Sequence, residues 1–198
     1  MKIYDISQEV FDCEVYPGDP APKKETLSSI DEGALYNLSA FSMCAHNGTH
    51  IDAPFHFLRT GKTIEKLALE KLVGLAAVVI CEGELSADGA REILARINRE
   101  CPEAAKKLLF KGNALITLEA SRVFAAENLD LIAVESQTVG PEDAPMAVHK
   151  ALLSEEVVLL EGVRLGEVPE GAYLLCAAPL SLAGADGSPC RAILIERD

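Results

Sequence analysis

The sequence predicts a mixed α/β fold that forms a single domain over residues 1–198. Short apolar runs rich in branched residues recur along the chain, and amphipathic segments with helical spacing lie between them. Glycine and proline punctuate these segments, as at Gly140-Pro141, without forming a long linker. A chain of 198 residues that is 49% hydrophobic can bury one sizeable core. Strands are expected to dominate that core.

The predicted strands are short runs bounded by turn signals. Each run is filled with apolar and branched residues, which is typical of strands that are buried in a sheet. The runs cover residues 76–81, 114–118, 129–134, 157–160, 173–176 and 192–195.

Three segments between these strands are predicted to be helices. The first, residues 86–100, has apolar residues on one helical face and a serine that can cap its start. The face consists of Ile93, Leu94 and Ile97, and the candidate cap is Ser86. Residues 120–127 and 144–153 are predicted to form shorter helices.

Composition narrows the class of function. The formal net charge is -13, from 31 acidic and 18 basic residues, and no window concentrates enough lysine and arginine to bind a phosphate backbone. We therefore expect no nucleic-acid partner. No stretch reaches the roughly 18 uncharged apolar residues of a membrane span, so we expect no membrane contact and a cytoplasmic location. Six scattered cysteines without a CxxC pair are expected to be reduced thiols in the core.

A cluster of histidines is the strongest functional signal. Three of the four histidines and one aspartate fall within eleven residues: His46, His50, Asp52 and His56. Asn47-Gly48 and Pro54 disfavour a helix, so the segment is predicted to be extended, with bends at these two places. Even-numbered residues of an extended chain share one face, so these four side chains can converge on a metal ion.

A second candidate cluster is the pair His149 and Glu161. Glu161 interrupts the apolar run of residues 157–163, and a carboxylate buried there needs a partner. Taken alone, the pair also fits a surface helix followed by an exposed turn. Beside the histidine segment, Asp52 and Glu161 could bridge two ions, and His149 could complete the second.

The histidine segment resembles the signature of the cyclase family of metal hydrolases and, within it, of the bacterial kynurenine formamidases. That signature is similar to His-x-Gly-Thr-His-x-Asp-x-Pro-x-His, and it stands here as His46-Asn-Gly-Thr-His50-Ile-Asp52-Ala-Pro54-Phe-His56. The likeness continues over most of the chain in the fragments Asp5-Ile-Ser, Tyr16-Pro-Gly-Asp19, Gly61-Lys-Thr-Ile64, Leu69-Glu-Lys-Leu-Val-Gly74, Leu160-Glu-Gly162 and Ala185-Asp-Gly-Ser-Pro-Cys-Arg-Ala192.

The resemblance implies a role for each residue of the two clusters. The implied ligands are His46, His50 and Asp52 for one ion and His149 for a second, with Asp52 and Glu161 touching both. His56 is implied to be the acid/base. The resemblance also implies a swivelling β/β/α fold, assembly into a dimer or tetramer, and two divalent ions, with zinc favoured over manganese. The implied substrate is a small molecule, N-formylkynurenine or a related aryl amide.

Two departures from the formamidases concern the substrate pocket. Tyr16, predicted to contact the substrate, stands where those enzymes resemble Trp-Pro-Gly-Asp, and residues 133–143 lack their Asp-Thr-Pro-Ser type of run. A tyrosine can still stack on a ring, with less area than tryptophan and an added hydroxyl. Lactams, cyclic imides and esters are therefore alternative substrates.

Hydrolysis of an amide is the chemistry that these residue types predict. Divalent metals make hydroxide available at neutral pH and polarise carbonyl groups. Imidazoles exchange protons near neutral pH, so His56 is expected to protonate the leaving nitrogen. Two alternatives stay open: a metal-binding protein without catalysis, and a thiol hydrolase that uses Cys44, two residues before His46.

Overall fold

Thirteen strands and three α-helices make up the regular structure of the described residues. The computed structural model describes residues 1–142 and 144–196, so Asp143, at the end of segment 133–143, lies outside it. The strands are β1 (Lys2–Asp5), β2 (Lys23–Ser28), β3 (Leu38–Ser42), β4 (His50–Asp52), β5 (Val73–Ile80), β6 (Gly83–Leu85), β7 (Lys107–Lys111), β8 (Ala114–Ile116), β9 (Leu131–Val134), β10 (Val158–Glu161), β11 (Gly171–Cys176), β12 (Gly187–Pro189) and β13 (Ile193–Glu196). The helices are α1 (Ala87–Glu100), α2 (Leu118–Ala126) and α3 (Met146–Leu153).

Nine of these strands form one mixed sheet in the order β1-β13-β11-β5-β7-β9-β10-β4-β12. The central strands β5, β7, β9 and β10 are parallel, and each connection between them carries a helix. The flanking strands are antiparallel, with β1, β13 and β11 on one side and β4 and β12 on the other. Strands β2 and β3 pair only with each other and form a separate ribbon.

Apolar side chains cover both faces of the central strands. On one face Val79 and Phe110 belong to a cluster that includes Leu94, Phe124 and Leu152 from the three helices. The other face belongs to a second cluster, which also receives residues from strands at both ends of the sheet, namely Tyr4, Leu194 and Ile51. The sheet therefore curls around this second cluster. Burial on both faces explains why the central strands read as continuous apolar runs.

Helix α1 confirms the prediction for residues 86–100. The Ser86 hydroxyl accepts a hydrogen bond from the Gly89 amide at 3.2 Å, which satisfies one free N–H of the first turn. Ala90, Leu94 and Ile97 are the buried residues of the helix, and Ile93 is half-buried beside them.

Every predicted strand overlaps an observed one. One predicted strand differs from the observed strand in length, and one central strand was missed. Residues 114–118 were expected to be extended throughout, but Leu118 begins α2 because the Thr117 hydroxyl caps the helix by accepting from the Ala120 amide at 3.2 Å. The central strand β7 was not predicted. Its core residues Leu108, Leu109 and Phe110 are fully buried, but none is β-branched, so the usual strand preference is weak there.

Two expectations from composition concern membranes and cysteines. Within residues 1–142 and 144–196, none of the helices combines the length and apolar character needed to cross a membrane. All six cysteines are free thiols, as predicted, but the expected core location is wrong because each of them is only partly buried.

Candidate metal centre

Strand β4 places the first pair of polar side chains. His50 and Asp52 alternate with Ile51, so both point to one face while Ile51 enters the apolar cluster on the other. The antiparallel register pairs Glu161 of β10 directly with His50. Cross-strand partners share a face, so the register brings the carboxylate of Glu161 onto the same side of the sheet as His50 and Asp52.

Bends on both sides of β4 bring in the other two histidines. Gly48 has a φ of +62°, and a Cβ there would lie 2.8 Å from Cβ of Cys13, so the bend requires glycine. His56 is the last residue of a short 3-10 helix, Pro54–His56, and its ring centroid lies 4.1 Å from that of His46. The expectation of an extended segment is therefore correct for residues 50–52 and wrong for His46, which lies in a turn, and for His56. The predicted bend positions are confirmed.

Helix α3 supplies His149, which packs against the end of β10. His149 and Glu161 are each 2% exposed, and His149 Nε2 lies 3.2 Å from Glu161 Oε1. The alternative placement of this pair on the surface is therefore wrong. Residues that are 12 positions apart in sequence meet because α3 and β10 are adjacent elements of the fold.

Two backbone carbonyls set the orientation of the buried imidazoles. His50 Nδ1 donates to the Gly48 carbonyl at 2.9 Å, and His149 Nδ1 donates to the Pro145 carbonyl at 2.9 Å. A carbonyl oxygen can only accept, so both Nδ1 atoms carry the proton. Both Nε2 atoms therefore face the carboxylates, which is the arrangement commonly seen for metal-ligating histidines.

Each of the two carboxylates faces two sets of imidazoles: one set is His46 and His50, and the other is His149. Asp52 Oδ1 lies 2.8 Å from His46 Nδ1 and 3.4 Å from His50 Nε2, while its Oδ2 lies 3.5 Å from His149 Nε2. Glu161 Oε2 lies 3.4 Å from His50 Nε2, and its Oε1 faces His149. The amide of Val139 donates to Glu161 Oε1 at 2.6 Å and holds that carboxylate in place.

The electrostatics of this cluster match a binding site for cations. Burial lowers the pKa of His50, but hydrogen bonds to the Asp52 and Glu161 carboxylates outweigh it and raise the pKa to about 10. Burial raises the pKa of Asp52, but His46 and His50 hold it well below its ordinary value. In the absence of a metal, protons on the imidazoles thus balance the buried carboxylates.

The donor set also fits a divalent ion. Three groups of three side chains have ligand atoms within 4.8 Å of one another: His46, His50 and Asp52; Asp52, His149 and Glu161; and the more exposed group His46, His56 and Asp186. Asp52 Oδ2 is buried and has no hydrogen-bond partner among the described residues, and such an atom is costly unless a cation compensates it. Imidazole nitrogens with carboxylate oxygens suit zinc and manganese.

Asp186 joins the site from the far end of the chain, and no role was predicted for it. Its Oδ2 lies 2.9 Å from His46 Nε2 and 3.1 Å from His56 Nδ1. The only signal for Asp186 in the sequence was its position in fragment 185–192 of the family likeness. The next residue, Gly187, is also required by this site, because a Cβ there would lie 2.6 Å from Cε1 of His46.

Tyr16 and Cys44 are the other two residues that the sequence analysis singled out. Tyr16 donates its hydroxyl to the Glu142 carbonyl at 3.1 Å. Cys44 donates its thiol to Asp19 Oδ2 at 3.6 Å. Burial raises the pKa of Cys44, and the charges of Asp19 and Asp186 raise it further, so thiolate is disfavoured and the thiol-hydrolase alternative loses support.

Sequence comparison agrees with this geometry. Residues 4–141 match the profile of the family described as "Putative cyclase". The chain belongs to the cyclase family. It is 32% identical to proteins named kynurenine formamidase from Erythrobacter litoralis, over 98% of this chain and 94% of that protein, and from Bacillus anthracis, over 98% and 97%. Its membership therefore rests on almost the whole chain.

Solved structures of similar fold include proteins described as hydrolases. A potential metal-dependent hydrolase with cyclase activity superposes with a TM-score of 0.81 and 28% identity, over 100% of this chain and 98% of that one. An isatin hydrolase bound to thioisatinate superposes with a TM-score of 0.82, over 100% and 93%, at 17% identity. The second comparison shows the shared cyclase-family fold alone.

Proposed function

We propose that this cyclase-family protein is a metal-dependent amidohydrolase acting on aryl formamides, with N-formylkynurenine as the leading substrate. The observation that carries the proposal is that Asp52 and Glu161 are buried and each turns one oxygen toward either imidazole set. Carboxylates in this arrangement can serve two ions at once. The curated relatives' shared name supports the substrate class.

The proposed ligands follow from the two sets. His46 and His50 would hold one ion, His149 would hold a second, and Asp52 and Glu161 would touch both. We favour zinc over manganese because the imidazole-rich set suits zinc well. Ions bound there would make hydroxide available at neutral pH and polarise the carbonyl of the substrate.

His56 is the proposed acid/base. Its side chain is 27% exposed, whereas those of His50 and His149 are 1% and 3% exposed, so His56 can meet a substrate at the mouth of the site. In formamide hydrolysis the oxygen of water bonds to the formyl carbon and the C–N bond breaks. The nitrogen then needs one proton to leave as an amine. His56 can take that proton from water and deliver it to the nitrogen.

Tyr16 is the proposed substrate contact. Its hydroxyl donates to the carbonyl of Glu142, which lies in the loop between β9 and α3. The Val139 amide of the same loop donates to Glu161. The ring would stack on an aryl group. A Tyr16→Ala variant is therefore expected to raise KM while changing kcat little.

The decisive experiment is metal analysis of the purified protein, followed by hydrolysis assays. Substrates are an aryl formamide, a lactam, a cyclic imide and an aryl ester, each with and without chelator and with zinc or manganese added back. Chelator-sensitive cleavage of the formamide above the others supports the proposal. Preference for the lactam, imide or ester would replace the substrate class, and bound metal without turnover would favour a binding protein.

We also propose that the protein forms a dimer or tetramer. The ribbon of β2 and β3, residues 23–42, packs its side chains poorly against the rest of the chain and exposes apolar residues: Leu27, Ile30, Leu35, Tyr36, Leu38 and Phe41. A two-stranded ribbon is marginal alone, and exposed apolar patches commonly mark interfaces. Sedimentation should show an oligomer that Leu35→Asp weakens and Leu69→Asp, outside the ribbon, does not.

A further inference from the structure

The side chain of His56 has a single polar partner among residues 1–142 and 144–196. His56 Nδ1 lies 3.1 Å from Asp186 Oδ2, and its other contacts are the rings of His46, Phe57 and His149. Rings restrict the imidazole sterically but do not select which nitrogen carries the proton. That selection falls to Asp186.

The backbone of Asp186 is held rigidly beside the metal centre. Its carbonyl accepts from the Ala53 amide at 2.9 Å, directly after β4, and the preceding carbonyl of Ala185 accepts from the Ile64 amide at 3.0 Å. Strand β12 then pairs Gly187 with Asp52. The main chain of Asp186 is therefore fixed relative to Asp52, and the missing side chain of Gly187 leaves room for His46 beside it.

We propose that Asp186 is a positioning residue that holds His56 in the tautomer with the proton on Nδ1, so that Nε2 faces the substrate. The inference rests on the proposed function, because it assigns His56 the proton transfer. A carboxylate accepts only, so His56 must donate from Nδ1. His56 Nε2 is then free to accept and return a proton, as in other imidazoles oriented by a carboxylate.

The same carboxylate oxygen also lies 2.9 Å from His46 Nε2. Asp186 could therefore act through His46 on metal affinity instead of through His56 on turnover. The two routes make different predictions. In the route through His46, loss of Asp186 changes the metal content. In the route through His56, loss of Asp186 changes kcat only while His56 is present.

A double-mutant cycle separates these routes. We expect Asp186→Ala to lower kcat by about 10- to 100-fold, with KM and metal per chain near the wild-type values. In a His56→Ala background the same change should lower kcat by less than about threefold, because the imidazole through which Asp186 acts is already absent. Asp88→Ala, on the exposed start of α1, is the matched control. The proposal would be overturned if the losses in kcat of the two single variants multiplied in the double variant. It would also be overturned if loss of bound metal accounted for the fall in kcat of Asp186→Ala.

A second readout needs no turnover. In protein labelled with ¹⁵N-histidine, long-range ¹H–¹⁵N spectra report which ring nitrogen of each imidazole carries a proton. Only four histidines contribute, and the signal missing in His56→Ala identifies His56. We expect the Nδ1–H form in the wild type and its loss in Asp186→Ala, or in Asp186→Leu, whose side chain cannot accept a hydrogen bond, if the alanine variant melts early. An unchanged tautomer would overturn the inference, whereas absence of hydrolysis with the expected tautomer would count only against the proposed function.

Discussion

The inner and outer halves of the metal centre differ in how far water reaches them. The inner half consists of His50, Asp52, His149 and Glu161, whose side chains are at most 3% exposed. The outer half consists of His46, His56 and Asp186, whose side chains are 13%, 27% and 42% exposed. Buried carboxylates need compensating positive charge, whereas a half-exposed imidazole can exchange protons with a ligand. The inner half is thus suited to holding cations, whereas the outer half contributes the proposed ligand His46 and leaves His56 accessible for proton transfer.

The largest effect is expected from Glu161→Gln in the inner half. Both imidazole sets face this carboxylate, so its loss should remove metal from the protein and lower turnover by more than about 1000-fold, as expected when metal catalysis fails. Metal analysis and steady-state kinetics check this. Glu155→Gln, in the exposed turn after α3, is the control. Full metal occupancy in Glu161→Gln would remove the functional distinction between the two halves.

A smaller effect on activity is expected from His56→Ala in the outer half. Loss of proton transfer typically lowers turnover by about 100- to 10,000-fold, and the metal content should stay at the wild-type value. Metal analysis beside kcat measurements tests both statements in one preparation. Should the metal be lost with His56, this residue would be a ligand, and the acid/base would have to be sought elsewhere.

A third prediction concerns the packing between β12 and His46. In Gly187→Ala the added Cβ would lie 2.6 Å from His46 Cε1 and 2.9 Å from the Ile51 carbonyl, so one of them must move. We expect roughly 10-fold lower kcat/KM and about 1–3 kcal/mol lower stability. Kinetics and denaturant unfolding provide the measurements. The control is Gly166→Ala, where no atom lies within 4 Å of the added Cβ. Equal behaviour of the two variants would contradict the close packing.

The mildest prediction concerns pH and the metal-free protein. The Asp52 and Glu161 carboxylates, acting against burial, raise the pKa of His50 to about 10. A raised folded-state pKa stabilises the protein below the ordinary value near 6.5, and this contribution is lost as pH rises through about 10. Metal competes better with protons over the same range. The gap in melting temperature between zinc-loaded and chelated protein should therefore widen as pH rises.

Thermal unfolding of both forms across this pH range measures that gap. A constant gap would mean that protons and metal do not compete for the inner imidazoles. The same titration on Glu155→Gln should follow the wild type, because that residue lies on the surface away from the inner half.

The amino-acid sequence alone determined which groups can form the site and how they are presented locally. Alternation along β4 puts His50 and Asp52 on one face, and Gly48 and Pro54 mark the bends that admit His46 and His56. These features depend on neighbouring residues only. The capped start of α1 is of the same kind, since one serine hydroxyl and one nearby amide form it.

The tertiary structure decided what these groups meet. Glu161 is a ligand candidate because the register of β10 against β4 pairs it with His50, and Asp186 reaches His56 because β12 pairs with the other edge of β4. Strand β7 is buried for a similar reason, as its two neighbours in the sheet enclose it. Local patterns set the direction of a side chain, but strand order and packing across more than a hundred residues set its partners.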